Sequence, residues 1–424
     1  MKRLLAIALT LTAALPASAA AEARPDRSFG DGGHVTTRVS GASASAFGVA
    51  VTGSGKIVVA GGSSAGQDQQ IVVARYRRNG RPDRRFGERG VFQSTLPSKR
   101  GPYKAAALLL EEGTGKPLIA GGYGEGSVLV ARLTKDGRFD KSFGTGGKGY
   151  TTTPVGSVGQ SLAVQPDGSL LVGSSDENVN GRPFTITRFT ADGAVDPSFG
   201  SGGTAELMFW DPTAASSAGT SGLSVAANGT ITGSGLVDNI GAGGHGSAGV
   251  FQLDAAGAPD VSFGTSGGGT LVSFQQPDGT FDFWFPCAMA VDSAGRIVIP
   301  GDGNSTAAGL MTARLTSAGT PDPAFGPSGD GRVRSTGPKG GNLTNCGAAV
   351  GVEGDITVGI GAILTRLTAA GAPDTSFAPK GVLAVKDPEK VAIAALAPVG
   401  DDRVVVAGSA RNSLYVGRFR VPGD

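Results

Sequence analysis

The sequence predicts an all-β fold, a seven-bladed β-propeller with four antiparallel strands per blade. Three observations carry that prediction. A motif returns seven times at a steady period, the chain between copies divides into four short β-rich stretches, and the two chain ends are complementary halves of one repeat. The motif is clearest as ADGAVDPSFGSGG, residues 191 to 203. Its anchors are Asp26/Phe29, Asp83/Phe86, Asp140/Phe143, Asp196/Phe199, Asp260/Phe263, Asp322/Phe325 and Asp374/Phe377, each with a glycine four residues after the Phe, from Gly33 to Gly381. Successive aspartates stand 57, 57, 56, 64, 62 and 52 residues apart. Self-similarity of this period marks a repeat architecture.

In the first repeat the stretches between anchors are AFGVAVT (46 to 52), KIVVAG (56 to 61), QIVVARY (70 to 76) and GVFQST (90 to 95). Their Val, Ile and aromatic content reads as four strands of a small sheet. The first two strands are joined by Gly53-Ser54-Gly55, by Pro166-Asp167-Gly168 in the third repeat and by Ala227-Asn228-Gly229 in the fourth. These are tight-hairpin residues that tolerate positive φ. One such sheet cannot bury both faces, whereas seven packed around an axis can. The third strand of each repeat also carries a polar residue five before a glycine, from Arg75/Gly80 to Arg418/Gly423, with Gln252 the one departure from arginine. After Gly423 the pattern calls for an Asp-x-x-Phe turn and a fourth strand, which PDRSFG (25 to 30) and HVTTRV (34 to 39) supply. The N-terminal strand is therefore expected to complete the seventh blade and close the ring without an open edge. A linear solenoid would call for distinct capping repeats instead.

Lys2 and Arg3, the apolar run from Leu4 to Leu15, Pro16 and Ala17-Ser18-Ala19 read as a secretory signal over residues 1–21. One domain, 25–424, then forms the mature protein, expected to be secreted, extracellular or associated with the cell surface. No lipoprotein cysteine follows the cut and no apolar tail closes the chain, so neither an anchor nor a membrane span is expected. The formal charge of +2, from 37 basic and 35 acidic residues, falls to about zero once Lys2 and Arg3 are removed. On that count nucleic acid and anionic membrane are not expected partners.

The pattern xGxxDxSFGxxG behind a VARL-like strand resembles the bacterial delta-60 repeat family. The resemblance extends over about the whole mature chain and implies an exported β-propeller, without implying any chemistry. Ala378 replaces the glycine after the last anchor Phe, and the first copy lacks its upstream glycine.

Phe29, Phe86, Phe143, Phe199, Phe263, Phe325 and Phe377 are read as apolar wedges between blades, each contributing about 1.5 to 3 kcal/mol if fully buried. The anchor aspartates are read as turn-forming acceptors, with the arginine eight residues earlier as an added partner, because Asp260 persists where the arginine becomes Gln252. Calcium is disfavoured at these turns, since each offers one carboxylate to an ion that takes six or more oxygens. Both cysteines fall at one register of adjacent repeats, in the series Phe47, Ala107, Gln160, Ser221, Cys287, Cys346 and Ala394. A Cys287–Cys346 disulfide between the inner strands of blades five and six follows.

The turns between strands one and two and between three and four share one face and are short and repeated. Variable loops occupy the opposite face, and their variation concentrates around blade four. There lie Phe209, Trp210 and Asp211, then Asp238 and His245 within 236–249, then Asp278, Phe281, Asp282, Phe283 and Trp284 within 274–287. Aromatic faces beside carboxylates suit sugars or an anchored peptide. The expected function is a ligand-binding or protein/glycan interaction module, monomeric, with an extracellular glycan or protein as partner. An alternative is a hydrolase or lyase acting on a glycan or lactone through loop carboxylates such as Asp282 with Asp238. A further alternative is a structural surface or matrix component, its aromatic loops serving as a lid. Catalysis is the lesser expectation: the histidines are His34 and His245 alone, without H-x-x-x-H spacing, a G-x-S-x-G elbow or a P-loop. No cofactor is expected; calcium has only Asp176-Glu177-Asn178 and Asp302-Gly303-Asn304 to recommend it, and solvated turns are preferred there.

Overall fold

The computed structural model describes residues 22–41, 43–65, 68–96, 104–122, 127–153, 158–175, 183–208, 217–239, 245–275, 281–282, 284–303, 309–335, 346–385 and 390–422. The expected signal segment, 1–21, lies outside them. Blade one is Ser43–Val51, Ile57–Ala65, Asp68–Tyr76 and Val91–Ser94, hydrogen-bonded antiparallel in that order. The same arrangement recurs within 104–153, 158–207, 217–272, 284–335 and 346–384. The inner strand of blade one alternates half-buried and buried positions and is flanked by the inner strands of blades two and seven. Second strands such as Pro117–Gly122, Ile297–Gly303 and Ile356–Ile360 are buried along their whole length, as expected of a sheet covered on both faces, while others such as Arg403–Ala410 keep a half-buried position or two.

The inner strand bulges at one register in five blades, between Ala46/Gly48, Ala105/Ala107, Gly159/Ser161, Thr220/Gly222 and Ile393/Ala395. Such a bulge bends the strand and strengthens its twist. It also presses the inner backbone onto the next strand. A Cβ on Gly61 would lie 1.9 Å from the Ser45 carbonyl oxygen, so only glycine fits there.

The seventh blade consists of Ala392–Pro398, Arg403–Ala410 and Ser413–Arg420, completed by the N-terminal segments Arg24–Pro25 and His34–Thr37. Arg24 stands opposite Arg420 and His34 opposite Gly417, so the chain ends close the ring as the sequence predicts.

Seven hydrophobic clusters fill the seven gaps between adjacent blades, and each contains one anchor Phe, buried to 2% exposure or less. Above each wedge sits a polar clasp. In every repeat one oxygen of the anchor aspartate accepts the backbone N–H two residues on, at 2.9 to 3.4 Å. In six repeats its second oxygen takes the arginine Nε at 2.5 to 3.0 Å. The same guanidinium lies 4.5 to 5.3 Å above the Phe ring. Its Nη1 donates to a turn carbonyl of the next blade, from Arg75 to Lys135 O at 2.5 Å through Arg418 to Arg78 O at 2.6 Å. Blade four keeps the aspartate turn and substitutes Gln252, which reaches Ser317 O at 3.5 Å. Turn former and inter-blade clasp are thus separate roles, as the persistence of Asp260 implies.

Cys287 and Cys346 are disulfide-bonded with their Cα atoms 5.4 Å apart, joining the inner edges of blades five and six. Closing that 59-residue loop limits the unfolded chain and contributes about 4 kcal/mol.

Candidate functional site

Of the residues expected around blade four, Trp210, Asp211, Asp278 and Phe283 lie outside the described residues. Asp238 and His245 end and begin adjacent strands of blade four, with Asp238 opposite Gly246 and His245 opposite Asn239; their side chains are likewise outside the description. Phe281 stands exposed at 39%. Asp282 and Trp284 differ from expectation. Asp282 is 3% exposed, its backbone N–H donates to Phe274 O at 2.7 Å, and its carboxylate accepts Arg334 Nε at 2.9 Å. It fastens the loop to the outer strand of blade five rather than facing a ligand. Trp284 is fully buried between blades four and five, its ring edge-on to Phe274 at 4.8 Å. The indole occupies the space that a side chain at Gly301 would fill, since a Cβ there would lie 2.1 Å from Trp284 Nε1. A ligand cannot stack on this ring without opening the core. Asp302 is also buried, within the strand Ile297–Gly303 rather than in a solvated turn.

The opposite face, that of the short turns, carries a cavity of about 740 Å³ where the inner strands of blades two, three and four reach their hairpin turns. Leu109, Leu162, Val164, Leu223 and Val225 form its walls. Glu111, Glu112, Gln165 and Asp167 stand at its rim. In blades two and three the inner strand stays apolar up to the turn and then becomes polar at once, in LLLEEG (108–113) and LAVQPDG (162–168), while blade four adds Leu223 and Val225 ahead of Ala226 and Ala227. That switch was the available sequence signal, and it resembles ordinary core alternation. Glu111 accepts Arg132 Nη1 at 2.8 Å, so its charge is balanced. Asp167 accepts the Ser169 N–H at 2.8 Å, which fixes the turn, while its charge and that of Glu112 stay at the exposed mouth. The result is an apolar recess with a negative rim. Pockets of this size and lining accommodate small molecules or a few side chains of a peptide.

No group of three or more His, Cys, Asp and Glu placed to hold a metal occurs among the described residues. No helix among them is long and apolar enough to cross a membrane.

Fold and recess together define a seven-bladed β-propeller with a cavity at one mouth, and comparison with known proteins agrees on the architecture. The model of a family described as a domain of unknown function (DUF5122) beta-propeller matches residues 53–86 and 165–199, which run from the inner hairpin turn to the anchor Phe in blades one and three. Virginiamycin B lyase from Staphylococcus aureus, solved in a catalytically inactive form with quinupristin, is 12% identical with a TM-score of 0.54, over 92% of this chain and 99% of that one. A protein of unknown function from Dyadobacter fermentans is 13% identical with a TM-score of 0.47, over 94% and 99%. Drosophila plexin A in complex with semaphorin 1b gives 10% identity and a TM-score of 0.46, over 91% and 86%. At 12% identity the likeness to the lyase is one of fold alone, and that fold hosts unrelated functions. No curated protein matches the chain in sequence.

Proposed function

We propose that this protein is a secreted binding module, and that its ligand enters the recess at the short-turn mouth of blades two to four. The observation that carries the reading is the juxtaposition of apolar walls with the exposed carboxylates of Glu112 and Asp167 around one cavity of about 740 Å³. Such a site favours a partner with an apolar body and a positive end, such as a peptide segment holding leucine beside lysine. Calorimetric titration with short Leu/Lys and Leu/Glu peptides tests it. The Leu/Lys peptide is expected to bind, and Val164→Arg, which fills the recess with a like charge, is expected to abolish binding. Glu112→Gln with Asp167→Asn should weaken it by about tenfold. Equal binding of the acidic peptide, or indifference to Val164→Arg, would remove this reading.

A second reading keeps the variable-loop face around blade four, because Phe281 stands exposed beside the anchored Asp282. Its candidate residues are Phe281 with Trp210, Asp211, Asp238, His245, Asp278 and Phe283. Phe281→Ala and Trp210→Phe would then reduce binding of a glycan or peptide while leaving the recess ligand unaffected.

A further inference from the structure

The balanced charge of the whole chain conceals a local excess on the short-turn face. Residues 77–89 of blade one carry six exposed arginines, Arg77, Arg78, Arg81, Arg84, Arg85 and Arg89, against Asp83 and Glu88. Asp83 is already engaged by Arg75 and Lys56, at 3.0 and 2.9 Å. Arg89 occupies a turn position with φ of 53°, where other repeats place Gly32, Gly146 and Gly202, so the charge is held at a conformational cost.

Backbone contacts make the patch continuous with both neighbours. Gly30 N–H donates to Asn79 O at 2.9 Å, which brings Arg27 of blade seven alongside. Gly87 N–H donates to Asp136 O at 2.7 Å, which brings up Lys135 and Arg138 of blade two. Glu88, Asp136 and Asp31 are the exposed acids along this path.

At the ring seam the arc deepens into a cavity of about 130 Å³ whose polar lining is Ser28, Arg78, Arg403 and Arg418. Arg418 is committed, through Nε to Asp26 at 2.9 Å, Nη1 to Arg78 O at 2.6 Å and Nη2 to Ser28 Oγ at 3.0 Å. Arg403 holds Asp26 at 3.2 Å and Asp402 at 2.7 Å, and Arg420 approaches Asp26 at 3.5 Å. Four arginines therefore face two carboxylates around this cavity. Burial, together with the nearby charges of Arg403 and Arg78, lowers the Arg418 pKa against the pull of Asp26. An added small oxyanion group would relieve that crowding.

We propose that the arginine arc binds an acidic polysaccharide, one carboxylate of which enters the seam cavity between Arg78 and Arg403. Guanidinium groups match carboxylates with two parallel hydrogen bonds, which suits an arc built from arginine more than lysine. The large apolar side chains exposed among the described residues, such as Val261 and Phe281, lie elsewhere, and the rings nearest the arc, Phe92, Phe139 and Tyr150, are half-buried against one another, so the arc presents chiefly charge to a partner. A disulfide-bonded chain fits an oxidising compartment outside the cytosol, where carboxylated glycans are available.

The test measures retention of the protein on immobilised polygalacturonate, neutral dextran, duplex DNA and phosphatidylglycerol vesicles over a salt series. Polygalacturonate is expected to bind tightest and to weaken with salt, as exposed charges are screened. The combined variant Arg81→Gln, Arg84→Gln, Arg85→Gln changes exposed side chains outside the clasps, and an unchanged melting temperature verifies its fold. It should bind polygalacturonate about tenfold more weakly, each exposed pair contributing about two- to fivefold. Arg78→Gln should remove the thermal stabilisation that free galacturonate gives the parent protein. Equal binding to dextran, tighter binding to DNA or vesicles, undiminished binding by the triple variant, or galacturonate stabilisation that survives Arg78→Gln would each overturn the proposal.

Discussion

Arg314→Gln isolates the inter-blade clasp, because it converts blade five to the arrangement that blade four already has. Arg314 is 1% exposed. Its Nε donates to Asp322 at 2.7 Å, its Nη1 to Ala369 O at 2.5 Å, and its guanidinium lies 4.5 Å above Phe325. Removing one partner of a buried ion pair costs about 3 to 5 kcal/mol, mainly because the other charge is left without compensation. Two features hold the loss near the lower end. Glutamine can still donate across the blade boundary, as Gln252 does, and Asp322 keeps the Ala324 N–H at 2.9 Å. A loss of about 3 kcal/mol in a chain of about 400 residues corresponds to a melting shift of about 3 to 4 °C. Denaturant and thermal melts of Arg314→Gln, Asp322→Asn and the double variant give the assay. The double variant should lose less than the sum of the singles by about 1 to 3 kcal/mol, since it leaves no stranded carboxylate. A shift under about 1 °C for Arg314→Gln, or strict additivity, would refute the clasp as an energetic unit.

Replacing Cys287 and Cys346 together by serine should lower stability by about 4 kcal/mol, read from the urea midpoint without reductant; an unchanged midpoint would show that the loop is already constrained by packing. Acid should unfold the protein through its anchor aspartates. Burial raises the carboxyl pKa values of Asp26 and Asp140, but hydrogen bonds from Ser28 or from Lys116 and Ser142, with the arginine charges, outweigh it and hold both well below 3.8. A carboxyl whose pKa is lower folded than unfolded contributes fully above its ordinary value and less as pH falls through the lowered one. The urea midpoint should thus stay level from neutral pH to about 5 and drop below about 4, with a shallower drop for Asp26→Asn, and a fall already complete at pH 5 would contradict this. Trp284 should emit at short wavelength and resist acrylamide quenching, so a quench unchanged in Trp284→Phe would fit its buried position and one that disappears would not.

The architecture was legible because each repeat states it again. Seven Phe wedges, seven Asp turns and paired cysteines at one register leave few ways to err about where strands and blades fall. The candidate sites lacked that redundancy. Trp284 sits in a loop-like stretch whose neighbours suggest a surface, and nothing local reveals that Gly301 and Phe274 shape a slot for its ring. Asp282 meets Arg334 across 52 residues, a pairing that depends on tertiary register. The recess depends on three inner strands converging at the axis, so Leu109, Val164 and Val225 each look like ordinary core in their own segment. The arginine arc was readable in residues 77–89 but disappears when charge is summed over the chain, because acids elsewhere cancel it.

The seam also has a mechanical meaning. Arg24 lies opposite Arg420 and Pro25 opposite Phe419, so both chain ends leave the seventh blade side by side. Tension applied between those ends would load the bridging hydrogen bonds singly, from the outside inward, as a zipper opens. The Asp26–Arg418 contact, spanning 392 residues of sequence, stands first in that line behind the terminal bonds. Bringing together ends so far apart costs about 5 kcal/mol of chain entropy. A carboxylate gripped by three guanidiniums is therefore placed where a rope would be knotted, at the point that takes the strain once the terminal bonds give way.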